Sequence, residues 1–431
     1  MKVLVLGAYG LIGAAVTQRL LANGHDVTGL GRDIARARRF RPRVTWIAGD
    51  IARMTSPGDW AGILRGMEVV VNAAGALQDG ARDDVAALQQ HAMIAMYAAA
   101  REAGVRRVVQ VSATGASPDA STAFLRTKAA ADAALAGSGL EHVILRPGMV
   151  IGPGAYGGSA LLRALASFPL ILPLAYADSP LRTVALDDVA GAVLLSVNGE
   201  VPSGTASDLV ELEPRGFAGV VAAMRGWLGF PPAPVVRLPG AVALPVALAC
   251  DGLGWLGWRP PLRSTAIRSI RDGVDGDPTQ WGNFGGLQPR PLEQTLAAGP
   301  AGAQDRWFAR MWLMKPVLIG SLAAFWIATG LVTACNDGAA ARILTARGIG
   351  EGTAAALVWG GVLADVLLGC AVLVRPWARS ALQGMIALTL AYLVSGTVLT
   401  PELWADPLGP LVKALLVPVL ALAALAVLEE R

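Results

Sequence analysis

The 431 residues are 54% hydrophobic and only 16% charged, with a net charge of +4 and a mean hydropathy of +0.50. Soluble domains carry about a quarter charged residues, so part of this chain belongs in lipid, and its length calls for two or three units. The basic residues are scattered or flank apolar spans instead of forming a lysine-rich stripe among aromatics, which argues against nucleic acid as a partner. Cys250, Cys335 and Cys370 form no CxxC pair, and His25, His91 and His142 lack ligand spacing, so neither a disulfide framework nor a metal site is expected.

Met1 to Gly10 is too short and too soon broken by glycine to read as a signal peptide, so the N-terminal part is expected to stay in the cytoplasm. Lys2 to Leu6 predicts a buried parallel strand, followed by Gly7-Ala8-Tyr9-Gly10-Leu11-Ile12-Gly13, a helix through Leu21 and a second strand at Asp26 to Leu30. A glycine motif between a strand and a helix is a dinucleotide signal. Gly7 permits the tight turn, Gly10 lets the backbone approach a pyrophosphate, and Gly13 lets the helix lie close to the strand. Gly49-Asp50-Ile51 follows a third strand. Val69 to Ala74 is a fourth, running into Asn72-Ala73-Ala74-Gly75, and Arg107 to Val111 is a fifth, ending at Ser112. A sixth, Val143 to Leu145, leads into Arg146-Pro147-Gly148 and on to Gly154.

The glycine spacing and the order of these marks resemble the short-chain dehydrogenase superfamily, in its extended or atypical branch with the NmrA-like proteins. The NAD(P)H-binding accessory subunit of respiratory complex I is similar in pattern. The resemblance covers about residues 1 to 230 and implies an α/β Rossmann fold, a doubly wound parallel sheet. It implies that Asp50, with Ile51, lies at the adenine, that Ala73, Ala74 and Gly75 line the cofactor, and that Pro147 and Gly148 form the loop beside the nicotinamide. It also implies that Ser112 holds a substrate carbonyl and that Lys128 reaches the nicotinamide ribose. Arg32, at the end of the second strand, pairs with a 2′-phosphate and favours NADP over NAD, or else is a solvated loop residue. Ser112 reads equally well as a strand-end hydroxyl satisfied by backbone. Where the family carries Tyr-x-x-x-Lys, this sequence has Phe124-Leu125-Arg126-Thr127-Lys128, and a phenyl ring cannot deliver a proton.

Residues 231–310 read as a Pro/Gly/Trp-rich connector. Its apolar stretch Leu238 to Trp258 packs on the substrate side as a lid or lies at the membrane interface with Trp255 and Trp258 at headgroup level. Residues 311–431 carry four charge-poor runs, near 317–334, 353–374, 381–399 and 408–428, each expected to cross the bilayer as one helix of an all-α bundle. Arg306, Arg310, Lys315, Arg375, Arg379 and Arg431 fall on one side of that topology. They place the N-terminal domain and the C-terminus in the cytoplasm of a bacterial inner-membrane protein, although Arg342 and Arg347 oppose this. Leu403-Trp404-Ala405-Asp406-Pro407-Leu408-Gly409-Pro410 and the Leu428-Glu429-Glu430-Arg431 tail resemble the DoxX-like membrane family. Asp365, deep in the second run, marks a polar site or is satisfied by a neighbouring hydroxyl or Lys413.

Two functions follow. One is a membrane-anchored NAD(P)H-dependent oxidoreductase or epimerase acting on a lipophilic substrate. The other is a non-catalytic dinucleotide-binding sensor or assembly subunit with a membrane protein partner.

Overall fold

The computed structural model describes residues 1–80, 83–258, 260, 262–282, 284 and 288–428. They fold into two compact units: residues 1–252 with 260–306, and residues 253–259 with 307–431.

The first unit opens with β1 (Lys2–Leu6), α1 (Leu11–Ala22), β2 (Asp26–Gly31), α2 (Ile34–Phe40) and β3 (Thr45–Ala48). It continues through α3 (Pro57–Leu64), β4 (Val69–Asn72), a π-helical turn at Ala87–His91, α4 (Ala92–Glu102), β5 (Arg107–Val111), α5 (Ala123–Ala136) and β6 (Glu141–Pro147). Then come β7 (Met149–Ile151), α6 (Gly158–Ala166), β8 (Leu172–Ala175), β9 (Thr183–Ala185), α7 (Leu186–Asn198), β10 (Thr205–Leu209), α8 (Phe217–Trp227) and β11 (Val235–Leu238). Four helices complete it: α9 (Gly240–Trp255), α10 (Ser264–Asp272), α11 (Thr279–Gly282) and α12 (Leu292–Ala297).

Seven parallel strands form the main sheet in the order β10-β6-β5-β4-β1-β2-β3, with the order reversing between β1 and β4. Alternation along each strand feeds two cores. Val3, Val5, Val69, Val71, Val109 and Val143 point to one face with Val16 and Leu20 of α1 and Val189 and Val193 of α7. Leu4, Leu6, Val70, Val108 and Ile144 point to the other, with Trp60 of α3, Met93 and Met96 of α4 and Leu135 of α5. Burial on both faces explains why these strands read as continuous apolar runs. The reversal leaves a crevice at the strands' carboxyl ends, where such sheets bind ligands.

The second unit holds α13 (Ala303–Cys335), α14 (Asp337–Thr345), α15 (Glu351–Ala371), α16 (Arg375–Leu399), α17 (Pro410–Ala414) and α18 (Leu416–Ala426). Among the described residues three helices, α13, α15 and α16, are long and apolar enough to cross a membrane. The fourth expected run, near 408–428, is helical over a shorter stretch. Pro410–Ala426 is an apolar segment broken at Leu415, shorter than the ~20 residues a crossing takes. Pro418 has no N–H to donate to the carbonyl of Ala414, which accounts for the break. Small residues close the interior, with Ala323, Ala378, Ala381 and Ala421 packed around Trp326 and Met385, while Leu363, Leu367, Val394 and Val398 point outward. Asp365 is buried and accepts a hydrogen bond from the Tyr392 hydroxyl at 3.0 Å, the neighbouring-hydroxyl alternative. Glu429 to Arg431, part of the expected tail, lie outside the described residues.

Candidate functional site

The crevice is built first by glycines. Gly7 has φ +73°, and a Cβ there would lie 2.9 Å from the Ala73 carbonyl oxygen and 3.0 Å from the Ala74 backbone. The turn after β1 therefore rests directly on the segment leaving β4. A Cβ on Gly13 would fall onto the Gly7 carbonyl, and Gly10 N donates to that same carbonyl at 2.8 Å. Gly10 caps α1, whose first turn carries no acid, and the N–H groups of Leu11, Ile12 and Gly13 have no partner within the helix. Ala8 is buried in the core. These residues fit a dinucleotide pyrophosphate, because the backbone presents donors and a positive dipole end with no Cβ in the way.

At the end of β2 the Tyr9 ring covers Gly31, and the Tyr9 hydroxyl accepts from Arg32 N at 3.0 Å. The Arg32 guanidinium pairs with Asp83 at 2.9 Å. Asp50 turns back on its own chain, accepting from Ala52 N at 3.3 Å, while the Ile51 side chain is buried in the core. Ile51 thus offers a ligand only its backbone.

At the end of β4, Asn72 accepts from Ala74 N at 3.0 Å and donates to Gln110 at 2.8 Å, fixing the bend that presents Ala73, Ala74 and Gly75. Gln89, in the π-helical turn, accepts from Ala76 N at 3.2 Å and donates to Thr127 Oγ1 of α5 at 2.8 Å. The extra residue of a π turn re-aims one side chain, here into the gap between the Gly75 loop and α5. Sequence reasoning missed Gln89, since a single π turn leaves no periodic signature.

Phe124, Lys128 and Asp132 recur every four residues along one face of α5. Phe124 is half-buried on the first turn, after the Thr122 cap. Lys128 is buried, and its ammonium donates to the Val111 carbonyl at 2.8 Å and the Ala74 carbonyl at 3.3 Å. It ties together the exits of β5 and β4. Burial pulls its pKa down to about 8, with Asp132 opposing the shift.

The Ser112 hydroxyl donates to Asp132 Oδ2 at 2.7 Å, and Arg146 Nε donates to the same oxygen at 3.3 Å. Ser112 and Asp132 are both buried, and Asp132 Oδ1 has no hydrogen-bond partner among the described residues. Burial lifts the Asp132 carboxyl above the usual carboxylate range, against the Ser112 hydrogen bond and the Arg146 and Lys128 charges. The alternative of a backbone-satisfied Ser112 is corrected: its hydroxyl goes to a carboxyl, and its N–H goes to the Leu145 carbonyl at 2.7 Å. Asp132 was also missed. Its only sequence signal was its place four residues after Lys128. Pro147 accepts from Thr114 N at 3.2 Å. A Cβ on Gly148 would lie 2.7 Å from the Arg182 carbonyl, so glycine is required where the two segments cross.

Residues 7–164 match the NAD(P)H-binding family and residues 323–424 the DoxX-like family. Over 285 residues the chain is 31% identical to the 3-diazoavenalumate denitrifying reductase of a Streptomyces species, a match covering 59% of this chain and 88% of that one. The chain belongs to the NAD(P)H-binding family. To that domain it joins a DoxX-like one. This NAD(P)H-binding protein is also 26% identical over 333 residues to sterol demethylase protein B of Methylococcus capsulatus, covering 71% and 99% of the two chains. Its fold is that of the triphenylmethane reductase of a Citrobacter species solved with NADP(H). There the TM-score is 0.55 at 17% identity, over 69% of this chain and 99% of the other.

Proposed function

We propose that the chain is a membrane-tethered NAD(P)H-dependent reductase acting on a lipophilic substrate, with Ser112 and Asp132 in the place of the missing phenol. The observation that carries this reading is the 2.7 Å Ser112–Asp132 hydrogen bond, buried beside Lys128 at the carboxyl ends of β4, β5 and β6. The bound dinucleotide supplies a hydride. Ser112 hands its proton to the oxygen that becomes negative on the substrate, and the Asp132 carboxyl, whose proton affinity burial raises, returns one to Ser112 along the same hydrogen bond. Lys128 holds the ribose, and Arg146 keeps the Asp132 carboxyl turned toward Ser112.

We assign residues 1–230 to the NAD(P)-binding domain with its substrate-side segments, 231–310 to a connector and 311–431 to the membrane domain. Arg32 supports NADP over NAD, because a dianionic 2′-phosphate competes well against the partly exposed carboxylate of Asp83. The matched relatives are bacterial and one is named for a sterol, which supports an inner-membrane protein with a lipophilic substrate. The basic residues at 306–315 and 375–379 support a cytoplasmic N-terminal domain and C-terminus.

The test is NADPH oxidation by the full chain in lipid nanodiscs, offered ubiquinone, menaquinone and a 3-ketosterol in turn. Consumption of NADPH with one of them is expected. Tight NADPH binding with no oxidation would instead establish the dinucleotide-binding sensor or assembly subunit, the reading that Phe124 favours.

A further inference from the structure

Helix α9 has no polar face. Its 16 residues hold a single charge, Asp251, and Val242, Leu244, Val246, Leu248 and Trp255 are 49–67% exposed, while Ala247 is buried. An all-apolar helix belongs in a core or in lipid, and among the described residues these five side chains are left about half open or more. At 1.5 Å per residue it is roughly 24 Å long, short of the ~30 Å hydrocarbon core, so it cannot cross.

Chain continuity names what covers it. Residues 253–259, the end of α9 and the turn after it, belong to the membrane unit. There Trp258 donates its indole N–H to the Leu373 carbonyl at 2.6 Å, and the Lys315 and Arg375 cations each lie 5.5 Å from its ring. A tryptophan between two cations at the end of an apolar helix is the composition of a headgroup belt. The lone charge of α9 is neutralised as well. Asp251 Oδ1 accepts from Arg263 Nε at 3.0 Å and from Ser264 N at 3.3 Å.

We propose that α9 is a monotopic helix lying in one leaflet of the bilayer, with acyl chains against Val242, Leu244, Val246 and Leu248. This rests on reading the second unit as membrane-embedded. The geometry also ties α9 to the crevice. Arg263, the partner of Asp251, donates to the Asp79 carbonyl at 2.8 Å. Asp79 in turn accepts from Val85 N at 2.8 Å, across the loop that carries Asp83, the partner of Arg32. Seating α9 in lipid therefore constrains the segment that follows Gly75.

The experiment uses the full chain with Cys250, Cys335 and Cys370 changed to Ser, in nanodiscs of phosphatidylethanolamine and phosphatidylglycerol. Nitroxides are placed singly at Leu244→Cys and Leu248→Cys, with Leu363→Cys on α15 and Glu102→Cys on α4 as references. Collisional relaxation by oxygen against a nickel chelate should put the α9 labels with Leu363→Cys, several-fold more oxygen-accessible than Glu102→Cys. Labels on α9 that match Glu102→Cys while Leu363→Cys reports lipid would overturn the inference and leave the membrane unit standing. If Leu363→Cys also reports water, both readings fall. Spin coupling between copies at Leu244→Cys would assign the face to a second chain and overturn the lipid. If the serine background fails to fold, carbene photolabelling of the native protein from within the bilayer replaces it. Residues 240–255 should then be labelled as heavily as α15, and an unlabelled α9 overturns the proposal.

Discussion

The two ends of the crevice were built by different means. At the glycine turn, specificity lies in the backbone. Gly7, Gly10 and Gly13 are held by their packing against one another and against Ala73 and Ala74, and no side chain need adopt one particular rotamer. At α5, specificity lies in side chains drawn from three elements, with Ser112 after β5, Asp132 on α5 and Arg146 on β6 meeting at one carboxyl oxygen. At the first end Gly7 and Gly13 have no room for a Cβ. The second keeps a lysine at 128 but has Phe124 four residues before it, where no proton can be delivered. Backbone-made binding and side-chain-made chemistry can therefore drift apart within one site.

The largest expected effect is at the glycine end. Gly10→Asp sets a carboxylate where the pyrophosphate lies, a repulsion of ~1–4 kcal/mol per charge pair at about 4 Å, and it tightens the contact with the Gly7 carbonyl. NADPH binding should vanish in titration calorimetry while the melting curve stays cooperative. Undiminished affinity would show that the turn does not hold the pyrophosphate.

At the other end, Ser112→Ala and Asp132→Asn should leave the NADPH Kd within a few-fold and cut kcat by about a hundred- to ten-thousand-fold. Because burial raises the Asp132 pKa, its proton is available below that pKa and lost above it, so wild-type kcat/KM should fall as pH rises. Asp132→Asn should flatten that limb. An unchanged pH profile would assign the proton to water.

Arg32→Ala sharpens the comparison at its edge. NADPH should weaken by roughly tenfold through loss of one charged hydrogen bond, and NADH by much less. Equal losses mean that Arg32 does not read the 2′-phosphate.

Lys128 links the two ends and gives a pH signature. Its folded-state pKa is depressed to about 8 from 10.5, so the unfolded chain keeps a proton that the folded chain has lost between those values. Stability without cofactor therefore rises with pH across that window. Cofactor affinity runs the other way, because an anionic dinucleotide favours the charged ammonium. The NADPH Kd should rise by up to about tenfold per pH unit above pH 8, and Lys128→Met should abolish the dependence. A flat Kd from pH 7 to 9.5 would remove Lys128 from the binding site.

Phe124→Tyr carries the smallest expectation. If Ser112 delivers the proton, a phenol one helical turn before Lys128 should change kcat by no more than about twofold, against the hundredfold or more that a missing acid is worth. A large gain would mean that the ancestral donor had lapsed without replacement.

Much of this was legible in the residues themselves. The apolar runs at Val3–Leu6, Val69–Val71 and Val108–Val111 announce strands buried on both faces. The glycines at 7, 10 and 13 announce a backbone ligand site, because each follows from local sterics or from one strand–turn–helix unit. Lys128 came from the family resemblance, and the apolar runs after Arg310 followed from the cost of leaving backbone or charge in lipid. Only the tertiary structure decided which polar side chains meet. Ser112 and Asp132 are 20 residues apart, Gln89 and Thr127 are 38 apart, and Arg263 reaches Asp79 across 184. It also decided that Asp132 is buried, that Arg32 pairs with Asp83, and that the last apolar run turns at Leu415. Propensity and periodicity act over a few residues. Desolvation and hydrogen-bond partners are set by what the folded chain brings near, so the scaffold could be read from the sequence and the partners of its buried charges could not.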